Sequence, residues 1–155
     1  MSGTYYAPTG GHPPQTELLT GRAVFTEAYA VIPKGVIRDI VTSALPFWEK
    51  TRVWIIARPL SGFAETFSQY IMEVQPGGGS EKPEPDGQAE AVLFVVEGEL
   101  TVELNGQSHR MEAGDYAFLP PASRWTARNE GSAPVRFHWI RKAYEAVDGI
   151  PLPEA

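Results

Sequence analysis

The sequence predicts an all-β fold whose antiparallel strands close into a barrel, and three observations carry that prediction. The 15 glycines and 14 prolines among 155 residues stand as punctuation between short apolar runs, which is the pattern of many short strands joined by turns. No stretch sustains the apolar spacing of a helix, and there is no internal repeat or heptad. Asn105-Gly106 sits between two alternating runs and is the strongest short hairpin signal, because a type I′ turn needs positive φ at both central positions.

Taken in order, Thr4 to Gln15 is rich in Gly and Pro and reads as extended surface chain, and Thr16-Glu-Leu-Leu-Thr-Gly as one helical turn. Arg22–Phe25, Tyr29–Ile32, Asp39–Thr42 and Thr51–Arg58 read as short strands, the last supported by its β-branched and aromatic content. Phe67–Val74 is a strand that Gln75-Pro-Gly-Gly-Gly-Ser80 is expected to end, and Glu81 to Gln88 is a polar, Pro-rich loop. Ala91–Val96 is a continuous apolar strand, turned at Glu97-Gly98, and Leu100–Leu104 alternates with period two. A two-residue turn after it places Leu104 opposite Gln107, Val102 opposite His109 and Leu100 opposite Met111. Tyr116–Leu119, Arg124–Arg128 and Val135–Arg141 complete the set, separated by Pro120-Pro121 and by Asn129-Glu-Gly-Ser132.

Composition removes several function classes. A formal net charge of −6 disfavours nucleic acid and anionic membrane surfaces, both of which need clustered Lys and Arg. No apolar run approaches the roughly 20 residues that span a bilayer. Cysteine is absent, so there are no disulfides, thiolate metal sites or cysteine nucleophiles. With no basic and apolar leader at Met1-Ser-Gly-Thr, a cytoplasmic location is expected.

Two segments carry a recognisable signature. Gly114-Asp-Tyr-Ala-Phe-Leu-Pro120-Pro-Ala122-Ser-Arg-Trp125-Thr-Ala-Arg-Asn129 resembles the second cupin motif, Gly-x5-Pro-x-Gly-x2-His-x3-Asn. Gly114, Pro120 and Asn129 keep its spacing, whereas Ala122 replaces a glycine and Trp125 replaces the metal-binding histidine. Glu90-Ala-Val-Leu-Phe-Val-Val-Glu-Gly98 resembles the end of the first motif, His-x-His-x3–4-Glu-x6-Gly, with Glu90 one residue further from the glycine than that formula places it. The resemblance implies a cupin, a double-stranded β-helix or jelly-roll-like antiparallel barrel, here with extra N-terminal strands.

A cupin site holds its ion with imidazole nitrogens and one carboxylate, leaving positions open for substrate. Glu81 to Ala89, where two of those histidines belong, has none, and the chain's three histidines, His12, His109 and His138, lie outside the motif positions. His12 reads as solvated, and His109 and His138 as structural. Glu81, Glu84, Asp86 and Glu90 could gather a hard cation, although a solvated acidic loop is the favoured reading. No catalytic residue and no metal ligand is assigned. Residues that could line a surviving pocket are Glu90, Phe94, His109, Tyr116, Phe118 and Trp125, with packing of Trp125, Phe94, Phe118 and Trp139 in the interior as the favoured alternative.

A closer resemblance covers residues 4–148. Thr4-Tyr-Tyr-Ala-Pro-Thr-Gly-Gly-His-Pro-Pro, Ile32-Pro-Lys-Gly, Pro46-Phe-Trp and Gly62-Phe-Ala-Glu-Thr-Phe-Ser-Gln-Tyr-Ile-Met-Glu-Val look like the amino-terminal half of (S)-ureidoglycine aminohydrolase. That resemblance implies a two-cupin protein of allantoin catabolism, which hydrolyses ureidoglycine to ureidoglycolate and ammonia with Mn in its second cupin. It also implies that the first cupin is degenerate, as here, and serves as scaffold and oligomer contact. The expected organisation is an extension with extra strands over 1–60, a barrel core over 61–145, and over 146–155 a tail or the start of a linker to a second cupin. No cofactor is expected in this chain, and its expected partners are copies of itself or a second cupin. Two other readings stay open. One is a free-standing metal-free cupin with a small-molecule cavity walled by Trp125 and Tyr116. The other is a metal-independent isomerase using His109, Glu90 and Tyr116.

Overall fold

The computed structural model describes residues 24–25, 30–31, 44–57, 66–152 and 154. The expected surface chain Thr4–Gln15 with His12, the helical turn Thr16–Gly21 and the strand Asp39–Thr42 lie outside these residues. The chain divides into two compact units, Met1–Ile40 and Val41–Ala155. In the first, β1 (Val24–Phe25) and β2 (Ala30–Val31) pair antiparallel, Val24 opposite Val31.

The second unit is a nearly closed antiparallel barrel with no helix among the described residues. Its strands are β3 (Glu49–Ala57), β4 (Phe67–Ser80), β5 (Ala89–Glu97), β6 (Leu100–Leu104), β7 (Gln107–Met111), β8 (Tyr116–Leu119), β9 (Trp125–Arg128) and β10 (Val135–Ala143). They run in the order β7-β6-β9-β4-β10-β5-β8, with β3 on β4. Strand β3, drawn from the stretch expected as N-terminal extension, is thus built into the barrel sheet. The β6–β7 hairpin has the expected register, Leu104 opposite Gln107, Val102 opposite His109 and Leu100 opposite Met111. Its turn residues Asn105 and Gly106 sit at φ 51° and 84°, the two positive values a type I′ turn requires.

One element corrects the sequence reading. Strand β4 does not end at Gln75 but continues to Ser80. Residues 67–74 pair with β3 and β10, and Gly79-Ser80 then pair with Arg128 and Ala127 of β9. Glycine here is a crossing device, not a terminator. Gly79 has φ 139°, and a Cβ on it would lie 2.1 Å from the Ala127 carbonyl oxygen, so only glycine lets the strand pass this close to its neighbour.

The core is the inward row of each strand: Val53, Met72, Leu93, Val95, Leu100, Val102, Leu119 and Phe137, all essentially inaccessible. Side chains of this size stabilise the fold by about 1.5–3 kcal/mol each relative to exposure. The aromatic end of the core is formed by Trp48, Tyr70, Trp125 and Trp139, with Trp139 at 5.4–5.9 Å from the other three rings. No helix among the described residues is long and apolar enough to cross a membrane.

Candidate functional site

The two motif segments fold as the barrel requires, and their surviving residues do structural work. Asn129 is buried, and its Nδ2 donates to the carbonyls of Val74 and Ala133, both at 2.8 Å, while its Oδ1 accepts from Gly131 N at 3.0 Å. One amide therefore ties β4 to the β9–β10 turn. Ser123 Oγ and N both donate to the Pro120 carbonyl, at 2.6 and 3.2 Å, closing the turn before β9. Ala122, where the motif has glycine, keeps a left-handed φ of 62°.

At the ligand positions the chemistry has changed. Trp125 is 6% exposed and packs edge-on against Trp139 with centroids 5.9 Å apart, as interior packing anticipated. Glu90 is displaced by parity. Strand β5 buries Ala89, Ala91, Leu93 and Val95 on one face, so the single-residue offset from the motif turns Glu90 to the opposite, outer face. Ala91 holds the inward place. Glu90 Oε1 lies 3.7 Å from Lys142 Nζ, the residue opposite it on β10. No three His, Asp or Glu side chains converge among the described residues. The residues present do not fit a divalent ion.

The loop acids each have a partner within the protein. Glu81 Oε1 accepts from Arg128 Nε at 2.6 Å. Glu84 Oε1 accepts from Arg141 Nη2 at 2.8 Å, with Oε2 facing Arg141 Nε. Asp86 Oδ1 accepts from Gln88 N, and Asp86 N donates to Glu84, both at 2.9 Å.

The six residues named as possible pocket lining are dispersed. His109, Tyr116 and Phe118 border an open concavity of about 920 Å³ at the edge strands β7 and β8, Trp125 a second recess, and Glu90 with Phe118 a third on the outer sheet face. Phe94 and Tyr116 face each other across β5–β8 and are 43% and 72% exposed, so neither packs the interior. Phe118, opposite Val92 on the same outer face, does not either. Trp125 and Tyr116 border different recesses, and Glu90 is not among the residues that line the concavity with His109 and Tyr116. His109, opposite buried Val102, is exposed on an edge strand. His138 is half-buried on the outer face, its Nδ1 3.2 Å from Gln69 Nε2, and desolvation lowers its pKa below the usual histidine value.

Sequence reasoning missed the most unusual interior feature. The inward row of β10 reads Val135, Phe137, Trp139, Arg141, which brings a guanidinium to the aromatic end of the barrel. It meets Glu84, whose side chain is only 5% exposed. The two-residue spacing from Trp139 was the signal that could have found it.

Residues 70–141 match the Cupin_2 family, described as a cupin domain. Over 135 residues the chain is 24% identical to (S)-ureidoglycine aminohydrolase of Escherichia coli K12, covering 86% of this chain and 49% of that protein. The crystal structure of a Pseudomonas aeruginosa protein described as glyoxylate-induced aligns with a TM-score of 0.77 and 65% identity, covering 99% of this chain and 55% of that one. Escherichia coli Ylba aligns with a TM-score of 0.73 and 22% identity over 88% of this chain and 55% of that one. The chain thus spans about half the length of these relatives. The barrel has the cupin fold, in a chain that resembles (S)-ureidoglycine aminohydrolase over most of its length.

Proposed function

We propose that this chain is the non-catalytic cupin of a (S)-ureidoglycine aminohydrolase-like protein, acting in the cytoplasm as scaffold and assembly surface. Hydrolysis of ureidoglycine to ureidoglycolate and ammonia, and the Mn ion that supports it, would belong to a second cupin barrel. The observation that carries this reading is the filling of the motif positions: Trp125 packs on Trp139 and Ala91 takes the inward place beside outward Glu90. Motif positions filled in this way supply neither imidazole nor carboxylate to an ion.

The outer sheet face supports the assembly role. Phe94, Val96 and Tyr116 are 43%, 49% and 72% exposed, with Val92 and Phe118 beside them. A contiguous apolar face of this kind is suited to burial against another barrel. The test is ammonia release from ureidoglycine by the purified chain, alone and after addition of the second cupin in cis or in trans. The chain alone should be inactive and the combination active. Mn-dependent turnover by the 155-residue chain would overturn the proposal.

A further inference from the structure

We propose that the aromatic end of the barrel is a binding site for a small carboxylate, which displaces Glu84 from Arg141. The site is an open recess of about 210 Å³ lined by Trp48, Tyr70, Trp139, Glu84 and Arg141 among others. That space equals about seven water molecules at roughly 30 Å³ each, which suits an acid of two to four carbons.

Three observations converge on it. Trp48 and Trp139 are 8% and 3% exposed, yet neither indole Nε1 has a hydrogen-bond partner among the described residues. Buried N–H donors are nearly always paired, so two orphans on the walls of one recess define an unmet need for acceptors. Arg141, stacked 5.8 Å from the Trp139 ring, offers the planar fork that receives a carboxylate with two bonds. Glu84 Oε1 already accepts from Arg141 Nη2 at 2.8 Å, with Oε2 close to Nε, although Oε2 and Nε make no hydrogen bond among the described residues. The protein's own side chain thus marks where a carboxylate sits and leaves the second bond of the fork unmade. It is carried between Pro83 and Pro85, whose rings stiffen the backbone, so its carboxylate leaves by side-chain rotation. A free carboxylate that replaces it brings lone pairs that its two bonds to Arg141 do not use, and these are available to the indole donors. The site uses none of the motif positions and stands apart from the scaffold role.

Glycolate, acetate and the neutral amide glycolamide test this on the full chain. In a ¹⁵N–¹H spectrum of the wild-type protein, glycolate should shift two of the four indole N–H resonances, assigned to Trp48 and Trp139 by Trp→Phe variants, and glycolamide none. Glu84→Gln removes the internal competitor, so half-saturation should fall by about tenfold or more, the scale of one charge-assisted contact. Arg141→Met should abolish the response. Indole resonances unmoved by glycolate, an equal response to glycolamide, or a Glu84→Gln variant that binds no tighter would each overturn the proposal. If Glu84→Gln folds poorly, the wild-type spectrum decides alone.

Discussion

Glu90 stands opposite Lys142 on the outer face of the barrel, its Oε1 3.7 Å from Lys142 Nζ, in the strand position next to the one from which a cupin carboxylate would reach an ion. Glu90 is therefore half of an outer-face ion pair with the exposed Lys142, and at this long distance, with one partner in solvent, such a pair contributes about 0–1 kcal/mol. Glu90→Gln should change unfolding free energy by less than about 1 kcal/mol. Glu84→Ala leaves Arg141 unpaired at the barrel end and should cost about 3–5 kcal/mol. Urea denaturation of both variants measures the contrast, and equal losses would place Glu90 in a more demanding role than the outer face gives it.

Ala122 holds φ 62° at a position where the motif uses glycine. The left-handed conformation costs a non-glycine residue roughly 1–2 kcal/mol, partly offset by the extra entropy glycine gives the unfolded chain. Ala122→Gly should stabilise the protein by about 0.5–1 kcal/mol, read as a higher urea midpoint at unchanged slope. A loss of stability would mean that the turn relaxes around alanine without strain.

Asn129 satisfies three backbone groups at once, two of them carbonyls, Val74 on β4 and Ala133 in the β9–β10 turn. Asn129→Ala strands those groups and should destabilise by about 2–4 kcal/mol, given about 1–3 kcal/mol for each unsatisfied buried group. Calorimetry checks the size. A change below about 0.5 kcal/mol would show that water replaces the amide.

His138 gives the barrel a pH dependence of defined sign. Burial lowers its pKa in the folded protein, whereas an unfolded histidine titrates near about 6.5. Its contribution is thus fully present above about pH 6.5 and is lost as pH falls through the folded value, because the unfolded chain takes up the proton first. Protonation also sets an N–H against Gln69 Nε2, 3.2 Å from Nδ1. Denaturant midpoints measured at successive pH values should decline on acidification, and less steeply in His138→Phe. Identical slopes in both proteins would assign the decline to other groups.

The sequence predicts the fold well where local chemistry decides it. Asn105-Gly106 sets both the turn and the register of β6–β7, and Gly114, Pro120 and Asn129 mark the barrel by spacing alone. Side-chain direction is a different matter. Ala91–Val96 is apolar on both faces, because one faces the core and the other is the exposed row that includes Phe94 and Val96. A continuous run of this kind carries no alternation from which to read direction. That is why Phe94 and Phe118 read as interior packing, and Glu90 as a residue that could line a pocket, whereas all three lie on the outer face. Gly77 to Gly79 looked like a terminator because glycine signals both turns and close strand crossings, and only the position of β9 distinguishes them. The Glu84–Arg141 pair depends on a loop meeting the far end of β10, a separation of 57 residues that no local pattern encodes.

The central claim is that the motif positions of this barrel are packed and outward-turned, and hold no ion. Elemental analysis of the purified chain, after incubation with Mn and removal of free metal, tests it most directly. The account predicts Mn far below one ion per chain, with no change when Glu90 is replaced by glutamine. Stoichiometric Mn, lost on Glu90→Gln, would contradict it.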